Sequence, residues 1–200
     1  LVRPARIESE SQYWSEKSDC ITVMPYDMLD GGATIQQALE QASRETEQIC
    51  VYHIASVFGP PEDHVQTAKD NVQGTEDLVK ALAKYQNDCR LVLTSSMAAV
   101  RSSGQEPLNG EYYTDKDWND RSKLGDNWGS SYQWSKAQSE KRAWELAEEY
   151  NLPMSSICPS FVFGPPSDGK LSSSYSITLV SQWVWGKSQV QSRICVDVRD

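Results

Sequence analysis

A tyrosine and a lysine stand four residues apart in Tyr132-Gln-Trp-Ser-Lys136. In a helix that spacing puts phenol and ammonium on one face, one turn apart. A phenol with an ordinary pKa of about 10 is a poor acid or base at neutral pH. A neighbouring ammonium favours the phenolate and can lower that value, which would suit Tyr132 to moving a proton. Upstream, Leu91-Val-Leu runs into Thr94-Ser-Ser-Met97 and sets hydroxyls at the end of an apolar segment. A serine there can donate a hydrogen bond to the oxygen that the tyrosine protonates. Two plainer readings stay open at this point. The Tyr/Lys pair also fits a solvated helix surface, and Ser95 and Ser96 equally fit capping of the next turn.

These residues need a scaffold, and the apolar pattern supplies one. Ile21–Met24, Ile49–Ile54, Leu91–Thr94 and Met154–Cys158 are short apolar segments bounded by polar or turn residues, as expected of buried parallel strands. Thr34–Glu47, Val65–Tyr85 and Tyr132–Tyr150 lie between them, long enough for helices and free of proline. Strand and helix in alternation predict an α/β fold built on a doubly wound parallel sheet. Ligands of such sheets bind at the carboxyl ends of the strands. Two long loops are expected to emerge there, Arg101–Gly129 and Phe163–Ser174.

Bulk properties narrow the partners. A net charge of −9 argues against nucleic acid and anionic membrane surfaces. No apolar run approaches the roughly 20 residues that span a bilayer. The five cysteines, Cys20, Cys50, Cys89, Cys158 and Cys195, are scattered with no C-x-x-C pair, so no metal site is expected. That usage fits a reduced, cytoplasmic protein. The chain opens at Leu1 inside an apparent strand and stops at Asp200 within another element, which leads us to expect a fragment.

Taken in order along the chain, these segments resemble the extended short-chain dehydrogenase/reductases, the NAD-dependent epimerase/dehydratase family. Thr94-Ser-Ser followed by the Tyr-x-x-x-Lys helix resembles the family's catalytic elements. Asp27-Met-Leu-Asp30 resembles its acidic turn, which implies that Asp27 and Met28 contact adenine. Val51-Tyr-His-Ile-Ala-Ser56 resembles a strand end beside the cofactor, implying His53, Ala55 and Ser56, with Thr94 from the next strand. Asn71-Val-Gln-Gly-Thr75 resembles a helix signature. Cys158-Pro-Ser-Phe-Val-Phe-Gly-Pro165 resembles the segment beside the nicotinamide, implying Pro159, Ser160 and Val162, with Cys158 where arginine is usual. Cys195-Val-Asp-Val-Arg-Asp200 resembles the segment after the substrate loop. By resemblance, Ser96 orients the substrate, with Ser95 its easily confused neighbour. Tyr132 exchanges the proton, Lys136 lowers the Tyr132 pKa and holds the nicotinamide ribose, and Asn71 supports a proton relay or its helix backbone.

The glycine-rich turn that cradles a pyrophosphate is absent from these residues. Leu1-Val-Arg-Pro4 resembles the end of the family's second strand, so the expected Rossmann-type sheet is incomplete at its N-terminus. Arginine at that position suits a ribose 2′-phosphate, whereas an acidic residue suits the free hydroxyl. Arg3, with Arg6 close by, therefore favours NADP over NAD, although both arginines also fit as solvated loop charges.

Tyr113-Thr-Asp-Lys-Asp-Trp-Asn-Asp120 and Ser139-Glu-Lys-Arg-Ala-Trp-Glu-Leu-Ala-Glu-Glu149 resemble the dihydroflavonol and cinnamoyl-CoA reductase group. The resemblance implies an NADPH-dependent reductase of a small aldehyde or ketone. Its substrate pocket would draw on Val57–Pro61, Met97–Val100, Trp128–Ser130 and the loop after Pro165. Trp118 and Trp144 are expected in the core. Residues 1–162 are expected to form the cofactor domain, and 163–200 the beginning of a small substrate-binding region. The resemblance also implies a possible homodimer, formed through the helices that carry Asn71 and Tyr132. Two alternatives stand beside this reading: a nucleotide-sugar epimerase or dehydratase with tightly held NAD, and a non-catalytic, cofactor-sensing regulator.

Overall fold

A computed structural model describes residues 1–57, 61–164, 175–189 and 195–197. It divides into two compact units, Leu1–Ile157 and Cys158–Asp200. In the first, a 3-10 turn at Pro4–Arg6 leads into α1 (Ile7–Ser15), and α2 spans Ala33–Glu45. Next come β1 (Ile49–His53), α3 (His64–Ala83), β2 (Cys89–Thr94), α4 (Met97–Val100), α5 (Trp128–Glu149) and β3 (Met154–Ile157). The strands pair in parallel in the order β1-β2-β3, with Val51 opposite Leu91 and Leu91 opposite Met154. This is the expected α/β, Rossmann-type arrangement.

Consecutive parallel crossovers bring α3 and α5 side by side, and their sequences are cut for that contact. On α5, Ser131, Ser135, Ser139, Ala143 and Ala147 recur every fourth residue and are all buried, a seam of small side chains that lets another helix come close. Buried Asn71, Thr75, Leu78 and Leu82 lie on α3 at helical spacing. One core joins Ile35 and Leu39 of α2 to Leu78 and Leu82, to Leu91 and Leu93 of β2, and to Leu146 of α5. Each fully buried leucine contributes about 1.5–3 kcal/mol over leaving it in water. The opposite face of the sheet presents Cys50, Tyr52, Arg90 and Ile157, all exposed, as strand alternation requires.

Helix α3 also makes a tight contact with the turn at residues 27–30. A Cβ on Gly74 would lie 2.4 Å from Met28 Cγ and 2.7 Å from the Met28 carbonyl oxygen. Only glycine lets α3 approach the 27–30 turn this closely. Asp30 then closes that turn, its Oδ1 accepting from the backbone N–H of Gly32 at 3.0 Å and Ala33 at 2.9 Å. Its Oδ2 accepts from Thr34 N–H at 2.9 Å, so Asp30 serves the orphan donors that open α2.

Several expectations change. Ile21–Met24 does not form a strand: the pairing there is a single bridge between Val2 and Pro25, held by two hydrogen bonds around Val2. The tyrosine helix begins at Trp128 instead of Tyr132, because Asn127 caps it by accepting from Ser130 N–H at 2.9 Å. Helix α1 was not expected; Pro4 opens its approach, and Glu8 and Glu10 favour its N-terminal dipole. Trp144 is 38% exposed, not in the core, because its indole reaches back one turn to Glu140 Oε1 at 3.4 Å.

In the second unit, β4 (Phe161–Phe163) pairs in parallel with β5 (Cys195–Asp197), and α6 covers Tyr175–Val184. Val162 therefore belongs to this smaller sheet. Of the expected loop Phe163–Ser174, Phe163 instead ends β4 and 165–174 lie outside the described residues, as do 198–200 and 58–60 of the expected substrate pocket. No helix among the described residues is long and apolar enough to cross a membrane.

Candidate active site

Strands β1 and β2 end side by side, and the residues that follow them meet α5. Ser95 extends the sheet by one hydrogen bond, its N–H donating to Ile157 O at 2.8 Å. Ser96 then turns the chain into α4, with its Oγ accepting from Ala98 N–H at 3.1 Å. The same hydroxyl lies near enough to the Tyr132 phenol to favour its ionised form. Capping and action on the phenol thus belong to one serine, which separates Ser96 from Ser95. Trp128 stacks on the Tyr132 ring with centroids 6.1 Å apart and planes 10° apart.

Lys136, one turn further on, lines a cleft of about 280 Å³ with Met28, His53, Ala55, Ser56, Asn71 and Thr94. Seven residues expected from sequence to serve the cofactor or the chemistry thus converge there. Asn71 also lines an adjoining cleft of about 230 Å³ that contains Tyr132, Trp128, Val57 and His64. Arg3 and Asp27 are not part of either. Both are exposed; Asp27 spends its Oδ1 on Leu29 N–H at 2.9 Å. Arg6 is paired with Glu10 at 2.5 Å. Pro159, Ser160 and Val162 lie in the second unit and are described with it.

Asn71 clamps the chain leaving β1. Its Oδ1 accepts from Val57 N–H at 2.7 Å and from Ser56 Oγ at 3.1 Å, while its Nδ2 donates to Val57 O at 2.9 Å. The side chain therefore fixes loop backbone at the cleft rather than the backbone of its own helix.

Electrostatics within the cleft are set by burial. Burial pushes the Tyr132 phenol above its ordinary value, and the Ser96 hydroxyl offsets part of that rise. The expected lowering is therefore not realised, because desolvation of the phenolate outweighs the favourable contact. His53 is 5% exposed, and burial, with the nearby Lys136 charge, pushes its pKa down to about 4. The imidazole is neutral at pH 7. Tyr26, pushed up to about 12 by burial and by Asp30, Asp27 and Asp77, keeps its proton. Its hydroxyl hydrogen-bonds His53 Nε2 at 3.2 Å, and the ring proton sits on Nδ1 when the phenol is the donor.

Among the described residues, the buried side-chain atoms lacking a hydrogen-bond partner are His53 Nδ1, Ser95 Oγ and Ser139 Oγ. All three residues line the Lys136 cleft. Such atoms cost free energy unless a bound group or water satisfies them. Ser95, Ser139 and Glu140 were not singled out from sequence as parts of this cleft. The i+3 and i+4 spacing from Lys136 is the signal that could have found the last two.

The segment Tyr113–Asp120 also does more than mark a lineage. Asn119 donates from Nδ2 to Ala98 O at 2.8 Å and from its N–H to Ala99 O at 2.8 Å, tying the long loop to α4. Asp117 organises the loop, accepting from Leu108 N–H and Thr114 N–H, each at 2.7 Å.

Residues 4–192 match the NAD dependent epimerase/dehydratase family. The chain is 31% identical to tetraketide alpha-pyrone reductase 2 of Arabidopsis thaliana, over 69% of this chain and 43% of that protein. It is 34% identical to dihydroflavonol 4-reductase of the same plant, over 58% of this chain and 30% of that one. Among solved structures, Gre2 from Candida albicans in complex with NADPH superposes with a TM-score of 0.80 at 25% identity, covering all of this chain and 62% of Gre2. The chain thus spans less than half the length of these plant relatives.

Proposed function

Because the chain belongs to the NAD dependent epimerase/dehydratase family, we propose that the full-length protein is an NADPH-dependent oxidoreductase that reduces an aldehyde or ketone to an alcohol. One relationship carries the reading: the Ser96 hydroxyl acts on the Tyr132 phenol, and Lys136 stands one turn along the same helix in the adjoining cleft. The reductases among its relatives, and the NADPH held by Gre2, support the choice of chemistry and cofactor.

The residues present fit a dinucleotide. The unpartnered polar atoms His53 Nδ1, Ser95 Oγ and Ser139 Oγ give the cleft hydrogen-bonding groups for a polar ligand. His53, Ala55, Ser56, Thr94 and Lys136 would hold the nicotinamide end, Met28 would line the adenine side, and Arg3 would meet a 2′-phosphate. When bound, the cofactor supplies hydride. The chain supplies the rest. Ser96 donates a hydrogen bond to the carbonyl oxygen and fixes its direction. Tyr132, whose burial keeps the phenol protonated, gives that oxygen its proton. Lys136 brings positive charge to the phenolate left behind. Asn71 keeps the 56–57 backbone in place beside both.

The test follows NADPH and NADH oxidation by the full-length protein with a panel of aromatic, aliphatic and flavonoid carbonyls. Turnover of a carbonyl with preference for NADPH is the expected result. Turnover with equal use of NADH would remove only the role of Arg3. Failure of every carbonyl, with NAD retained through purification, would instead favour the epimerase or dehydratase reading.

A further inference from the structure

Glu140 is 5% exposed, although a carboxylate is rarely buried without a compensating charge. Its Oε1 accepts from Ser156 Oγ at 2.6 Å and from Trp144 Nε1 at 3.4 Å, both neutral donors. These partners fix the carboxylate in place without cancelling its charge. It lies at i+4 from Lys136 on α5, and both residues line one cleft. The titratable groups lining that cleft are His53, Lys136 and Glu140; its lining from the 28 turn, α3 and β2 is neutral. His53 is itself uncharged at pH 7, which leaves one cation and one anion. Residues four apart on a helix are neighbours, and a cleft holds less water than bulk, so the two charges attract.

We propose that Glu140 is a positioning residue for Lys136, its buried carboxylate supplying the counter-charge that holds the ammonium in the cleft beside Tyr132. The inference rests on the Ser96/Tyr132/Lys136 reading and adds to it a fourth residue, which touches neither carbonyl nor hydride. The Ser156 and Trp144 hydrogen bonds aim the carboxylate, and the carboxylate aims the lysine. Its charge also opposes loss of a proton from either Lys136 or Tyr132. Removing that charge while keeping the shape therefore makes both groups give up protons at lower pH. The sign is the same for both.

The experiment measures kcat/KM for carbonyl reduction by the full-length protein against pH, in the parent, Glu140→Gln, Ser156→Ala and Tyr132→Phe. Glu140→Gln is expected to move the alkaline limb to lower pH by about one unit. Ser156→Ala loses a hydrogen bond but keeps the charge, so its limb stays within about 0.3 unit of the parent's while its stability falls. A purely structural role for Glu140 would lower the stability of both variants and leave both limbs in place. If Glu140→Gln does not fold, Glu140→Asp draws the charge back by one methylene and is expected to move the limb the same way by less. An unmoved limb in the folded Gln or Asp variant, with Tyr132→Phe inactive, overturns the role of Glu140 alone. Full activity of Tyr132→Phe overturns the underlying mechanism instead.

Discussion

Ser96 caps α4 with its side chain and also lies near enough to the Tyr132 phenol to favour the ionised form. This relationship joins two elements far apart in sequence, the end of β2 and the second turn of α5. Its geometry depends on everything that fixes those two ends. The consequences can be measured at residues that never meet a substrate.

Gly74→Ala should destabilise the fold. An alanine in a helix interior ordinarily gains about 0.5–1 kcal/mol over glycine. Here its Cβ would fall 2.4 Å from Met28 Cγ and 2.7 Å from the Met28 carbonyl oxygen, and backbone cannot rotate away as a side-chain tip can. A net loss of about 1–3 kcal/mol is expected by urea denaturation. Weaker cofactor binding should accompany it, because the 27–30 turn must move. A neutral or stabilising substitution would contradict the close approach.

Asn71→Ala removes the clamp on the chain leaving β1. It leaves the N–H and carbonyl of Val57 without their side-chain partner. The expected cost is about 2–3 kcal/mol in denaturant, more than one ordinary hydrogen bond. A loss under about 1 kcal/mol would mean that the loop re-forms its contacts without the amide.

His53 gives a pH dependence of known sign. Its folded pKa, about 4, lies below the ordinary 6.5, so acid favours the unfolded chain. Its contribution is fully present above pH 6.5 and is lost as pH falls through about 4. The difference between pH 7 and pH 4 is about 3 kcal/mol. His53→Gln should lack this component, so the stability gap between parent and variant changes by that amount over the window. A constant gap would show that the imidazole is not buried as a neutral ring.

Local chemistry was legible in the sequence and long-range contact was not. Tyr132 and Lys136 could be placed together because i,i+4 spacing is a property of one helix. Short apolar segments at 49–54, 91–94 and 154–158 announced three parallel strands. Ile21–Met24 carried the same pattern but pairs only at its edge, through Val2 and Pro25. Gly74 could be read as part of a signature, yet its reason is Met28, distant in sequence. The aromatic character of Trp144 suggested a core position, whereas its helical phase leaves it 38% exposed beside Glu140. Ser95 and Ser96 are alike to any pattern. Only the turn into α4 sends one side chain inward to the cleft and the other to the phenol.

The most direct test of the proposed chemistry is single-turnover carbonyl reduction by the full-length protein and its Tyr132→Phe variant, with NADPH saturating. Removing one hydroxyl leaves the ring and its stacking on Trp128 in place, so cofactor affinity should hold within about threefold while the reduction rate falls by about 10²–10⁴. A Tyr132→Phe protein that reduces the carbonyl as fast as the parent would contradict the account at its centre.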